Sequence, residues 1–257
     1  MAKITGIAWC DHTFNPWWGC VKIAPECANC YAEKWDKRTG GEHWGPNSER
    51  RFFGLSHWKE PVRWNAEAVR DGVRRRVFCA SMADVFEDHP MVKDARKSLW
   101  ELISKTPGLD WLLLTKRPEN IDTMMPGYFS NVWLGTTAGT QAMANKNIPE
   151  LLSQSAAVRF LSCEPLLEPI DFMQVPITYE QRWSRQKLDW VIVGCESGSK
   201  ARSMNEDWVR SIRDDCAAAK VAFFYKQAMR GKILVSTPEL DGRMWTEFPE
   251  VDHARTI

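Results

Sequence analysis

The chain has 257 residues, 44% of them apolar, and a formal net charge of only +1. That size suits one large domain or two small ones around an ordinary core; it excludes a disordered chain and gives no global electrostatic case for a polyanionic partner. No apolar run approaches the ~20 residues that span a bilayer, and Met1-Ala-Lys leads straight into a strand-like stretch without a signal peptide, so no membrane association and a cytoplasmic location are expected.

A first strand is expected around Ile4 to Cys10, with an extension through Trp18 left open. Next comes Asn15-Pro-Trp-Trp-Gly-Cys20, six residues, Cys27, two residues, Cys30, then Tyr-Ala-Glu33. Three of the eight cysteines therefore fall in one short stretch, at spacings that let soft thiolates converge on a metal centre. Cys79, Cys163, Cys195 and Cys216 sit singly in apolar runs and read as buried thiols. Residues 35 to 65 interleave cations and aromatics, including Trp44, Arg50, Arg51 and Trp58. Such a stretch suits a platform that stacks bases and neutralises phosphates, or an Arg-rich loop packed over the rim of the domain. The chain's 14 tryptophans pose the same choice between stacking and burial.

From residue 76 one unit repeats: a short apolar run ending in a polar group, a loop, then an amphipathic helix. The runs are 76–81, 111–116, 132–137, 158–164, 190–196 and 221–226, and helical spacing marks Lys93 to Lys105, Gln141 to Ser153 and Asn205 to Lys220. Near-continuous apolar strands joined by helices predict a parallel sheet buried on both faces. The fold class is thus α/β, a partial or complete (β/α) barrel of six to seven parallel strands spanning residues 1–230, with the 35–65 insertion inside it. No glycine fingerprint follows any strand, which disfavours a dinucleotide-binding sheet. Pro165 to Lys187, with Arg182 and Arg185, reads as a lid or a surface insertion. In the tail, 231–257, Asp241-Gly242 predicts a hairpin and a closing β-ribbon.

In a barrel, chemistry gathers at the strand C-terminal ends. Those ends carry Ser81 and Asp84, Thr115 and Lys116, Thr136 and Thr137, Ser162 and Glu164, Glu196 and Ser197, and Lys226 and Gln227. Glu164, Glu196 and Lys226 are the strongest candidates to face the mouth. For the cysteines, a closed zinc site needs a fourth ligand, from Cys10, His12 or His43, and the second Cys-x-x-Cys pair of many such sites is missing. A [4Fe-4S] cluster on Cys20, Cys27 and Cys30 leaves one iron open to a small molecule, as in radical S-adenosylmethionine enzymes.

The Cys stretch, together with Ser81-Met-Ala-Asp84, Leu114-Thr-Lys-Arg117-Pro, Leu134-Gly-Thr-Thr137, Ser162-Cys-Glu-Pro165 and Gly194-Cys-Glu-Ser197-Gly, resembles the phage-associated three-Cys-motif family. That family in turn resembles an outlying branch of the radical S-adenosylmethionine proteins. Two departures stand out: six residues rather than three between the first two cysteines, and Asn29 where an aromatic usually precedes the last. The resemblance implies a [4Fe-4S] cluster, S-adenosylmethionine, an electron donor such as flavodoxin or ferredoxin, and, if the chain is phage-encoded, work in the host cytoplasm. It implies hydrogen-atom abstraction that rearranges or hypermodifies a base or modified nucleoside in DNA, with lesion repair or a zinc-stabilised DNA-binding protein as alternatives. On that basis Asp84 is expected to accept from the cofactor amine, and Ser81, Thr136, Thr137, Glu164, Glu196 and Ser197 to hold the rest of it. Lys116, Glu164 and Lys226 are expected to serve catalysis, and Trp44, Arg50, Arg51 and Trp58 to contact DNA.

Overall fold

A computed structural model describes residues 5–178 and 187–251. In chain order the strands are β1 (His12–Phe14), β2 (Trp17–Trp18), β3 (Arg51–Phe52), β4 (Arg75–Cys79), β5 (Leu109–Thr115), β6 (Val132–Thr137), β7 (Val158–Cys163), β8 (Trp190–Gly194), β9 (Ala222–Arg230), β10 (Ile233–Ser236), β11 (Glu239–Leu240) and β12 (Arg243–Met244). The helices are α1 (Tyr31–Arg38), α2 (Leu55–Trp58), α3 (Glu60–Asp71), α4 (Lys93–Ser104), α5 (Ile121–Met124), α6 (Gln141–Leu152) and α7 (Glu206–Ala219). One eight-stranded sheet runs β1-β4-β5-β6-β7-β8-β9-β10, parallel throughout except for the last pair, so it curls into an open half-barrel. β10 is an antiparallel edge strand of that sheet, and β11–β12 turn on Asp241-Gly242, both with positive φ as a tight hairpin requires.

Alternation along the strands sorts the core into two faces. Val77, Trp111, Leu113, Val132 and Leu134 pack with Trp64, Ala68, Leu99 and Ile103, and further along Leu161, Val191, Val193 and Phe223 pack with Ile148, Val209 and Ile212. The intervening positions, Phe78, Leu112, Trp133, Phe160, Trp190, Ile192 and Phe224, form an inner aromatic layer on the other face. Trp9 closes that layer, 4.6 Å from the Phe78 ring and edge-on to Trp190 at 6.1 Å. The tryptophans in this layer are therefore core residues.

The first strand forms at His12–Phe14 and not over Ile4–Cys10; Ile4 itself lies outside the described residues. The cause is a turn in which Cys10 N–H donates to Ile7 O at 3.3 Å, tipping Trp9 inward onto the sheet. The 35–65 insertion is also more regular than its composition suggests. Trp18–Trp17 pair with Arg51–Phe52, and Trp64 stacks on His12 at 4.3 Å from within α3, whose first turn tolerates Pro61 because that position has no intrahelical N–H bond to lose. Arg182 and Arg185 lie outside the described residues. Among the described residues no helix is long and apolar enough to cross a membrane.

Candidate functional site

A cavity of about 540 Å³ opens at the C-terminal ends of the parallel strands, and Trp9 and Phe78 of the inner layer line it. Cys20, Cys27 and Cys30 all line this one space. Gly19 N–H donates to Met82 O at 3.0 Å and bridges to Ala83, which fixes Cys20 beside the end of β4. Cys27 closes a single helical turn over Pro25–Cys27, and Cys30 caps α1. Burial pushes the Cys20 thiol up to about 12, Asp84 adds to the rise, and Arg117 opposes it. All eight cysteines are unbridged.

Ser81, Asp84, Lys116, Thr137, Glu164, Glu196, Ser197 and Lys226 line the same cavity. The barrel logic that singled out the strand ends thus brings them together. Three of the carboxylates are already committed, however. Asp84 accepts from Phe86 N–H and the Thr115 hydroxyl on Oδ1, and from Lys116 N–H and Arg117 on Oδ2, at 2.8 to 3.2 Å. Its acceptor capacity is full, so it organises the wall and is not a free acceptor for an amine. Glu164 is ion-paired to Lys226 at 2.5 Å. Glu196 accepts from Asn29, from Arg202 N–H and from the Arg202 guanidinium. Burial alone would raise its pKa, but the bonds from Arg202 and Asn29 outweigh that and hold it at about 2.

Three expected site residues have other partners. Thr136 is fully buried, donates to Thr115 O at 2.9 Å and does not line the cavity. Arg50, expected to contact DNA, is 3% exposed; its guanidinium forks onto Glu87 at 2.9 and 3.0 Å and onto the carbonyls of His43, Gly45 and Ser48. Trp58 packs edge-on against Phe14 at 5.3 Å, at the margin of the core. Arg51 is exposed and stacks on Trp18 at 4.6 Å, while Trp44 lines the cavity. None of the three candidate fourth ligands lines it: Cys10 bonds back to Ile7 O, His12 lies on Trp64, and His43 is 2.8 Å from Asp36.

Sequence reasoning quoted the motifs that hold Asn15, Asn29 and Arg117 but assigned these residues no role. Asn15 donates to Ser81 Oγ and accepts from Met82 N–H, Asn29 braces Glu196, and Arg117 reaches Asp84 at 2.9 Å, Val21 O at 2.8 Å and Cys20 Sγ at 3.8 Å. A polar residue inside a dense motif was the available signal. Arg202 and Glu26 carried none.

Residues 4–249 match the family DUF5131, described as a protein of unknown function. The chain belongs to this family. No curated protein and no solved structure shows a match to it. The three thiols are of a type that suits iron-sulfur ligation and line one cavity; among the described residues no three His, Cys, Asp or Glu side chains are gathered closely enough to hold a single metal ion.

Proposed function

We propose that the chain is a radical S-adenosylmethionine enzyme that holds a [4Fe-4S] cluster on Cys20, Cys27 and Cys30 and acts on a nucleobase or modified nucleoside. The observation that carries this is the single cavity of about 540 Å³ shared by three free thiols and the polar ends of the parallel strands. A cubane takes one thiolate at each of three irons and leaves the fourth open, which suits a thiol set whose candidate fourth partners all lie elsewhere. When bound, the cluster supplies the electron that cleaves the sulfonium and starts hydrogen-atom abstraction.

The chain's own part is to shape and dry that space. Trp9 and Phe78 line it with apolar surface, Glu164–Lys226 and Glu196–Arg202 fix its charged rim, and Lys116 stands ready for an anionic group. The DNA substrate and a flavodoxin or ferredoxin as electron donor rest on the resemblance to phage-associated proteins. Of the four residues expected to contact DNA, exposed Arg51 on Trp18 and cavity-lining Trp44 support that reading best. Mass spectrometry for 5′-deoxyadenosine after anaerobic reconstitution, with and without phage DNA, tests the assignment. Its absence in both arms from protein with a full complement of iron contradicts it.

A further inference from the structure

Helix α1 carries surface that the fold leaves unused. It runs straight out of Cys30, and Tyr31, Lys34, Trp35 and Arg38 stand at i, i+3, i+4 and i+7, the spacing that lines residues along one helical face, while Ala32 and Asp36 are buried. Tyr31 is 51% exposed and Trp35 52%, and among the described tryptophans Trp35 alone is exposed. Neither ring meets another ring or a cation among the described residues. A single exposed aromatic is ordinary, but two on successive turns beside a cavity form a patch.

The charges around this stripe are uneven. Glu33 is held by Lys22 at 2.5 Å and Lys37 at 2.8 Å, Asp36 accepts from His43 N–H and meets its ring, and exposed Glu42 lies near Lys37. The two carboxylates of α1 are thus committed, whereas the buried Lys34 ammonium has no hydrogen-bond partner, and exposed Arg38 and Lys200 enter no ion pair among the described residues. The loop after β8 lies against the same helix: a Cβ on Gly198 would be 3.5 Å from Lys34 Nζ, and Asn29 donates to Lys200 O at 3.0 Å. At its other end the stripe is continuous with the cavity, because Tyr31 lines it and donates its hydroxyl to Ser81 O at 2.6 Å, which holds the ring beside the end of β4.

We propose that the Tyr31–Trp35–Arg38 face of α1, with Lys34 and Lys200 beside it, binds the unpaired nucleotides that flank a base placed in the cavity, so that the substrate is a base carried on a nucleic-acid strand and not a free nucleoside. That a base occupies the cavity rests on the proposed function. A base reaches a concave site at strand ends only out of its stack, and its neighbours then lose a stacking partner. Planar aromatic faces take those neighbours whatever their sequence, and cations without carboxylate partners take the phosphates. An acidic protein would also answer the cations, but an aliphatic side chain would serve it as well as a ring.

Fluorescence anisotropy of a labelled oligothymidylate with the full chain tests this, with the same strand annealed to oligodeoxyadenylate as the paired control. The single strand is expected to bind about tenfold or more tighter than the duplex. Trp35→Ala should weaken it about tenfold, the scale of one base stacked on an aromatic ring, and Trp35→Leu by as much, while Trp35→Phe stays within a few-fold of wild type. Tyr31→Leu should also cost several-fold, and Arg38→Gln should make the fall of log K with log salt shallower by about 0.7, the value for one phosphate on a single strand. Trp35 is exposed, so its variants keep the fold. Equal affinity for the two forms, wild-type affinity in Trp35→Ala, or no binding at low salt overturns the surface. So does a Trp35→Ala variant that keeps its oligonucleotide affinity and loses affinity for an acidic ferredoxin, which makes α1 a protein-docking face. None of these measurements needs the cluster. Their failure leaves the proposed radical chemistry standing, and a chain that binds the strand through Trp35 but forms no 5′-deoxyadenosine overturns that chemistry and keeps the surface.

Discussion

Beneath Cys20, Arg50, Glu87, Arg117 and Asp84 form a continuous buried chain of ion pairs, whereas beside Cys27 the buried Glu26 Oε2 and Thr137 Oγ1 have no partner among the described residues. Both flanks line or support the same cavity, and both are polar. The first is finished in the folded chain: each charge is met by another, and carbonyls take the remaining N–H groups. The second carries two buried oxygens, Glu26 Oε2 and Thr137 Oγ1, that no hydrogen bond among the described residues satisfies. On the proposed function the contrast separates scaffold from ligand surface, since an evenly satisfied network costs no more when a ligand is absent, while an unsatisfied group gains most when one arrives.

Replacing Arg117 with Leu should be the most damaging change in this comparison. It strands Asp84 in a site where that residue is 5% exposed, and breaking a buried pair on one side costs about 3 to 5 kcal/mol. Urea unfolding measures it, and a loss below about 1 kcal/mol would mean that the finished flank is not scaffold.

Glu196→Gln should cost less, roughly 1 to 3 kcal/mol near neutral pH, because Arg202 and Asn29 lose a charged acceptor but keep a neutral one. Its pH dependence is more telling. The folded carboxyl is depressed from 4.5 to about 2, so its contribution is complete above about pH 4.5 and is lost as pH falls toward 2. The variant's stability should therefore fall less steeply than wild type over that window, and parallel curves would contradict the pairing.

Thr137→Val lies at the other extreme among buried sites. Its hydroxyl has no partner, so stability should stay within about 1 kcal/mol of wild type while ligand affinity drops. A large destabilisation would erase the distinction between the flanks. Smallest of all, Arg51→Ala removes an exposed cation stacked on Trp18, worth about 0.5 to 1 kcal/mol. If Arg51 meets a phosphate, the same variant lowers the salt dependence of DNA binding by about one counterion.

The strands β4 to β9 were legible because each opens on or contains an apolar run, and α4, α6 and α7 because their apolar spacing marks them. β1 was not, because three residues carry too little pattern and Trp9 looks like strand while serving as a plug. The strand-end rule located the site but not the state of its groups. Asp84 is saturated by Thr115, Lys116 and Arg117, some thirty residues on, and Arg50 is neutralised by Glu87, 37 positions away. Composition gives a charge its sign; only the fold gives it a partner. Glu26 escaped notice for the same reason, since an unpaired carboxylate and a solvated one are identical in sequence.

Anaerobic reconstitution with iron and sulfide, followed by metal analysis, tests the central claim most directly. Wild type should take up about four irons per chain with thiolate-to-iron absorbance, and Cys27→Ala should lose the cluster. Protein that takes up no iron, or a Cys27→Ala variant that holds the full complement, would contradict the assignment of Cys20, Cys27 and Cys30 as its ligands.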